Sequence, residues 1–267
     1  MNKLLFLLIF LSPTLSGFSQ QQEISQINIK EVVSSADILR TSYPDSAVIN
    51  FYQGNGRFGC SYGPSGLHNH PADDEANWQR FGPKYGHTRL MHMNHKLRDE
   101  TGRDYIAPLA KIYWEEIATD LNDYEQYQSN YDGTLSTRFK HGQAAIQVLS
   151  WFDPVDRDLG GMTIDIEGNA PDIIIEPLEL LSIYQKEYSQ DVKINELSDG
   201  WKIELSVLQC NTELFINTKA DASIEENALR LKLQPGKNVI QFSVNSPVET
   251  GWEQSLAQSR KWWNSKW

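Results

Sequence analysis

Residues 124–166, YEQYQSNYDGTLSTRFKHGQAAIQVLSWFDPVDRDLGGMTIDI, decide the fold. Apolar and polar side chains alternate through Leu135, Thr137 and Phe139, again at Ile146 and Val148, and again at Met162, Ile164 and Ile166. A period of two marks strands that bury one face. Each run ends in turn chemistry: Asp132-Gly133, then Lys140-His141-Gly142, then Gly160-Gly161. Such spacing predicts an antiparallel meander.

The pattern continues on both sides. Strands are expected at 48–52, 88–97 and 104–114, the last two joined by a turn at Asp99-Glu100-Thr101-Gly102. Further strands are expected at 172–175, 201–207 and 213–217. A final hairpin of 229–233 with 238–244 closes through Gln234-Pro235-Gly236-Lys237. Many short strands with regular turns indicate an all-β sandwich of large antiparallel sheets. With 267 residues and 40% hydrophobic content, one large β domain has material for a core.

The formal net charge is −11. An acidic surface disfavours nucleic acid and anionic membrane, both polyanions, and leaves neutral ligands such as sugars admissible. At the amino end, Lys3, the apolar run 4–11 and Gly17-Phe18-Ser19 read as a secretory signal cleaved near Ser19. That predicts a secreted or periplasmic protein with segments 1–19 (signal), 20–247 (β domain) and 248–267 (start of a helix). No segment after the signal is apolar enough to span a membrane. Cys60 and Cys210, 150 positions apart, read as buried free thiols rather than a bridge.

The carboxyl end changes period. Thr250-Gly251-Trp252-Glu253 fits a capping box, and Trp252, Leu256, Trp263 and Trp267 fall at steps of four, seven and four, one face of a helix. Four of the eight tryptophans lie in these last sixteen residues. Such a face is expected either to fold back onto the sandwich or to dock on another domain.

These features together resemble the N-terminal domain of six-hairpin glycoside hydrolases, families 65 and 95 among them. The resemblance is carried by Gly54-Asn55-Gly56-Arg57-Phe58-Gly59, by Tyr127-x-x-x-Tyr131-Asp132-Gly133 and by Ser150-Trp151-Phe152. The stretch Leu233-Gln234-Pro235-Gly236-Lys237-Asn238 and the exit SLAQSRKWWNSKW (255–267) add to it. It implies a β-supersandwich of the galactose mutarotase-like, glycosidase N-terminal type, followed by a linker helix and an (α/α)6 barrel that carries the catalytic carboxylates. The chain stops within the linker helix, so no catalytic residue is carried over, and Trp252, Leu256, Trp263 and Trp267 become the expected barrel-docking face.

Other chemistry is sparse. Five of the six histidines, His68, His70, His87, His92 and His95, lie within 28 residues. On a strand His92 and His95 point to opposite faces, so no metal site is assigned, and no cofactor. Glu115 with Glu116, and Asp153, Asp156 and Asp158, are the candidate carboxylate pairs for glycosidic cleavage. Alternation separates the first pair, and solvation accounts for the turn aspartates. Residues 53–66 hold five glycines and a proline and must turn sharply more than once. Asn55, Arg57, His68, His70, Trp78 and Arg80 around that turn and the polar loop 67–84 are the candidate carbohydrate-binding residues. Trp114, Trp151 and Trp201 sit in strand patterns and are expected in the core. Two readings stay open: an accessory domain packing on a catalytic barrel, with an oligosaccharide or polysaccharide as substrate, or a stand-alone carbohydrate-binding module of the cell envelope.

Overall fold

The computed structural model describes residues 28–43, 51–69, 89–98, 104–117, 121–177, 191–207 and 210–267. Residues 1–19, read above as a signal, and His70, Trp78, Arg80 and His87 lie outside them. No helix among the described residues is long and apolar enough to cross a membrane.

Two antiparallel sheets face each other. The central meander is β6 (Asn122–Ser129), β7 (Thr134–His141), β8 (Ala144–Phe152) and β9 (Leu159–Glu167). It is extended by β1 (Ile38–Arg40) at one edge and by β16 (Gly236–Val244), β13 (Cys210–Thr218), β12 (Gly200–Val207) and β11 (Asp191–Leu197) at the other. The order β1-β6-β7-β8-β9-β16-β13-β12-β11 makes a nine-stranded sheet. The second sheet, of seven strands, runs β14 (Asp221–Glu225), β15 (Ala228–Lys232), β10 (Ile173–Pro177), β5 (Asp104–Trp114), β4 (Arg89–Arg98), β3 (Phe58–Tyr62), β2 (Phe51–Gly54). Two helices complete the described residues: α1 (Ile29–Ser34) before β1 and α2 (Trp252–Asn264) after β16.

The core lies between the sheets, where alternation places Leu135, Phe139, Ile146, Val148, Met162, Ile164 and Ile166 against Tyr62, Leu90, Ile112, Ile173 and Ile175. Phe58 of the seven-stranded sheet meets Phe152 and Phe242 of the other edge to face, with centroids 5.1 and 5.5 Å apart. Trp114 and Trp151 are fully buried, and Trp201 packs half-buried at the core's margin.

Three expectations change. Gly160 and Gly161 do not end a strand. They lie in β9 opposite Phe152 and Trp151, and the turn is 153–158. A Cβ at Gly161 would come 2.7 Å from the Trp151 ring, and one at Gly160 would come 2.5 Å from Phe242. The glycines thus exist to admit aromatic rings. Strands β15 and β16 form no hairpin either: β15 pairs with β10 and β14, and β16 with β9 and β13. The Gln234-Pro235 link therefore carries the chain from one sheet to the other. Strand β4, finally, bulges. Met91 pairs with Pro108 and Lys96 with Ile106, so residues 92–95 face a single residue of β5. Strict alternation is lost there, and His92 and His95 are both buried.

Strands β1, β3, β11 and β14 were not expected. Strand β3 lies inside the glycine-rich stretch that was read as turns, and β1, β11 and β14 are edge strands of mostly exposed residues, which carry little apolar alternation to read.

Candidate functional site

The glycine-rich turn between β2 and β3 begins with a close approach. At Gly54 a Cβ would sit 2.9 Å from the Phe58 carbonyl oxygen. Asn55 then closes the turn: its Oδ1 accepts from the Arg57 and Phe58 amides at 3.1 and 2.9 Å. Its Nδ2 donates to the Asp153 and Arg157 carbonyls at 2.7 and 3.1 Å. Both amide hydrogens are committed to tying this turn to the β8–β9 turn. Asn55 is a framework residue of the junction between the sheets.

Arg57 stands at the rim of that junction. Its Nε lies 2.8 Å from Asp158 Oδ1, an oxygen that His92 Nε2 also reaches at 2.8 Å. His92 Nδ1 accepts from the Asn94 amide at 3.1 Å, which leaves the proton on Nε2 and makes it the donor to Asp158. Burial pulls the His92 pKa down although Asp158 opposes it, so the contact is a hydrogen bond from a neutral ring. The Asp153 carboxylate is fully buried. Its Oδ1 accepts from the Val155 and Asp156 amides at 2.8 and 3.1 Å, and its Oδ2 accepts from Ser255 Oγ at 2.9 Å. Solvation therefore does not explain Asp153, which braces the turn from inside, while Asp156 is exposed as expected and Asp158 is half-buried. Glu115 and Glu116 lie just beyond the end of β5, where Arg230 binds Glu115 and Asp172 together. None of these carboxylates forms an acid–base pair facing an open site.

His68 belongs to the core. Its Nδ1 accepts from the Ile112 amide at 2.6 Å, its own amide donates to the Ile112 carbonyl at 2.7 Å, and its Nε2 donates to Cys60 Sγ at 2.7 Å. Burial pushes the Cys60 thiol well up, so it stays protonated. Cys60 and Cys210 are both free thiols. His95 Nδ1 lies 2.9 Å from Thr212 Oγ1 and 3.9 Å from Cys210 Sγ. Among the described residues, no group of three or more His, Cys, Asp or Glu side chains converges to hold a metal.

The terminal helix α2 lies across the outer face of the nine-stranded sheet. Trp151 Nε1 donates to Ser255 Oγ at 3.0 Å, and Ser259 Oγ donates to the Phe152 carbonyl at 3.1 Å. Ser255, Leu256 and Ser259 are the helix's buried residues. The expected capping box is absent. Gly251 is the N-cap, with no side-chain cap bond, while the Thr250 carbonyl accepts from Gln241 Nε2 at 3.0 Å. At the other end Trp263 lies against Gly133, where a Cβ would come 2.1 Å from the indole. The expected docking face is thereby divided. Leu256 and Trp263 turn to the protein's own sheet, Trp252 is half-buried beneath Lys237 Nζ at 5.2 Å, and Trp267 alone of the four is exposed.

A second concavity, of about 1010 Å³, opens where β6–β9 meet the segment after β1, lined among others by Tyr43, Glu125, Arg138, Gln147 and Asp165. Tyr43 packs edge to face on Tyr124 at 5.5 Å, and Arg138 pairs with Glu125 at 2.9 Å. Sequence reading missed this grouping because it depends on cross-strand register, Glu125 beside Arg138 beside Gln147 beside Asp165.

No protein-family model matches the sequence, and no curated protein matches it. Among solved structures, a chain described as a kojibiose phosphorylase from the human microbiome shares the fold with a TM-score of 0.55 at 11% identity. The match covers 85% of this chain and 37% of that one. A family GH92 α-mannosidase from Bacteroides thetaiotaomicron, solved with mannoimidazole, matches with a TM-score of 0.25 at 7% identity, over 79% of this chain and 28% of that one. The chain thus spans well under half the length of either, and the phosphorylase match is one of fold, a two-sheet antiparallel sandwich.

Proposed function

We propose that this chain is the exported β-supersandwich domain of a glycoside hydrolase-type enzyme, an accessory domain that packs on a catalytic (α/α)6 barrel. The observation that carries the reading is the shared fold: 85% of this chain superposes on 37% of a phosphorylase chain. The framework role of Asn55, the core position of His68 and the pairing of Asp158 with Arg57 support it too, since each is tied into the fold rather than paired as an acid and a base facing an open site. Export rests on the signal-like segment 1–19. Co-expression with an (α/α)6 barrel encoded beside it tests the reading. A complex that survives gel filtration is expected, with glycosidic activity only in the complex. Two folded proteins that elute separately would refute it.

One observation favours a second reading, the stand-alone carbohydrate-binding module. Helix α2 is already seated on its own sheet through Ser255, Leu256, Ser259 and Trp263, so less of its aromatic face awaits a neighbour than its sequence implies. A module of this kind remains monomeric and soluble without a barrel and binds its sugar unaided.

A further inference from the structure

A cleft of about 380 Å³ lies between the carboxyl end of α2, strand β2, the end of β6 and the corner after α1. Its walls include Tyr52, Gln53, Gln128, Asn130, Trp263 and Trp267, and among the described residues that line it no side chain is charged. That is unusual for a chain of net charge −11. Tyr52 is 59% and Trp267 47% exposed, so two large rings stand in water at the same opening.

The cleft is framed by hydrogen bonds rather than left between loose segments. Gln53 Nε2 donates to the Gly133 and Ser150 carbonyls at 2.8 and 3.0 Å, fixing the turn on which Trp263 rests. Gln128 Nε2 donates to the Tyr52 carbonyl at 2.9 Å. The corner after α1 is stapled to β6: Asn130 donates through its amide to Asp37 Oδ1 at 2.6 Å and through Nδ2 to the Ala36 carbonyl at 2.5 Å, and Tyr127 donates to Asp37. A preformed concavity saves a ligand the ordering entropy that a loose one would demand. Its volume lies within the roughly 300–1,000 Å³ of small-molecule sites.

The lining selects the ligand's chemistry. An anion needs a cationic wall and nucleic acid needs several, and the described residues of the cleft supply none. Indole and phenol faces are electron-rich and attract C–H-bearing apolar surfaces, while the Tyr hydroxyl and Trp N–H supply polar contacts at the ring edges. The side-chain amides in the walls add no charge, and the hydrogen bonds named above tie them to the frame, which leaves the ring edges as the main polar contacts. A molecule with one flat C–H face, hydroxyls around its rim and no net charge matches on every count.

We propose that this cleft binds a neutral oligosaccharide, with the exposed rings of Tyr52 and Trp267 as stacking platforms. The inference rests on and deepens the carbohydrate-related reading above, and names a site that meets the glycine-rich turn only at its first residues, Gln53 and Gly54. The test is titration of the full chain with neutral gluco-, manno- and xylo-oligosaccharides, followed by calorimetry and tryptophan fluorescence. At least one series is expected to bind and to shift the emission. Tyr52→Ala and Trp267→Ala are each expected to weaken binding about tenfold. Trp267→Phe, which keeps a ring, and Ile224→Ala, on a distant edge strand, should stay within about threefold of the parent. Both platform residues face solvent, and circular dichroism of each variant establishes that it is folded. Absence of binding to the whole panel overturns the proposal, as does binding that ignores both alanine variants, or capture of a proline-rich peptide by these rings in place of any sugar. Each of these would leave the barrel-association result standing on its own.

Discussion

His95 carries a buried imidazole whose Nε2 has no hydrogen-bond partner among the described residues, while Nδ1 meets Thr212 Oγ1. Burial, with the neighbouring His92 adding to it, lowers its pKa from 6.5 to about 4. The folded protein therefore holds this ring neutral, whereas the unfolded chain takes up a proton below about pH 6.5. Stability from this group is fully present above pH 6.5 and drains away as the pH falls toward 4, by about 3 kcal/mol over that window. Urea midpoints across pH 4–7 should show this slope, and His95→Asn should flatten it; an unchanged slope in the variant would assign the acid sensitivity elsewhere. At this scale the sequence was only half legible. Asn55, Arg57 and His68 stand out in it as unusual polar residues near a glycine-rich turn, but types and spacing do not tell a ligand contact from a framework bond. That distinction depends on partners such as the Ile112 amide and the Asp153 carbonyl, far away along the chain. The Gly160-Gly161 pair misleads for a related reason. Two glycines admit either a turn or overlying rings, and only the register with Trp151 and Phe152 decides.

Among the elements, α2 was read from its tryptophan spacing, and the helix is there over Trp252–Asn264. The part of its face that meets the sheet was not legible, because two of its buried residues are serines. Ser255 and Ser259 look like solvent-facing residues in sequence, yet they are i, i+4 neighbours pressed on the sheet. Small side chains let the helix approach, and their hydroxyls satisfy groups that packing would otherwise strand: the Trp151 indole N–H, the Asp153 carboxylate and the Phe152 carbonyl. Ser255→Ala keeps the volume and removes the hydroxyl, leaving a buried indole donor and a buried carboxylate oxygen short of a partner. A loss of about 2 kcal/mol is expected, read from urea unfolding, together with a weakened near-ultraviolet signal from Trp151. A loss within experimental error would mean that water substitutes for the hydroxyl. The β15–β16 link teaches the complementary lesson. Asn238 closes it locally, accepting from the Gln234 amide at 3.0 Å and donating to the Gln234 carbonyl at 2.7 Å. That turn chemistry is genuine, and it is indifferent to whether the flanking strands pair or separate into two sheets.

For the molecule as a whole, the all-β sandwich was legible because alternation is strong in the central meander, whose strands β6–β9 lie side by side as expected. The assembly of its parts was not, because it is made by cross-chain polar bonds. Gln53 and Asn55 bind the short sheet edge to β8 and the turn after it, and that same turn receives α2 through Asp153. The glycine-rich turn, the β8–β9 turn and the terminal helix are therefore one mechanical unit, and the exposed rings of the cleft sit at its end. If α2 is an integral cover of the sandwich, deleting residues 251–267 should uncover Trp151 and strip Asp153 of its serine partner. The shortened chain is then expected to lose about 3 kcal/mol or more, to bind a hydrophobic dye, and to show Trp151 emission that acrylamide quenches. If α2 is a connector seated only loosely until a neighbouring domain holds it, the deletion would leave the urea midpoint where it was. The buried serines argue for the first outcome: a helix that supplies hydrogen bonds to the sheet's own indole and carboxylate is part of the domain's closure, whatever else it goes on to contact.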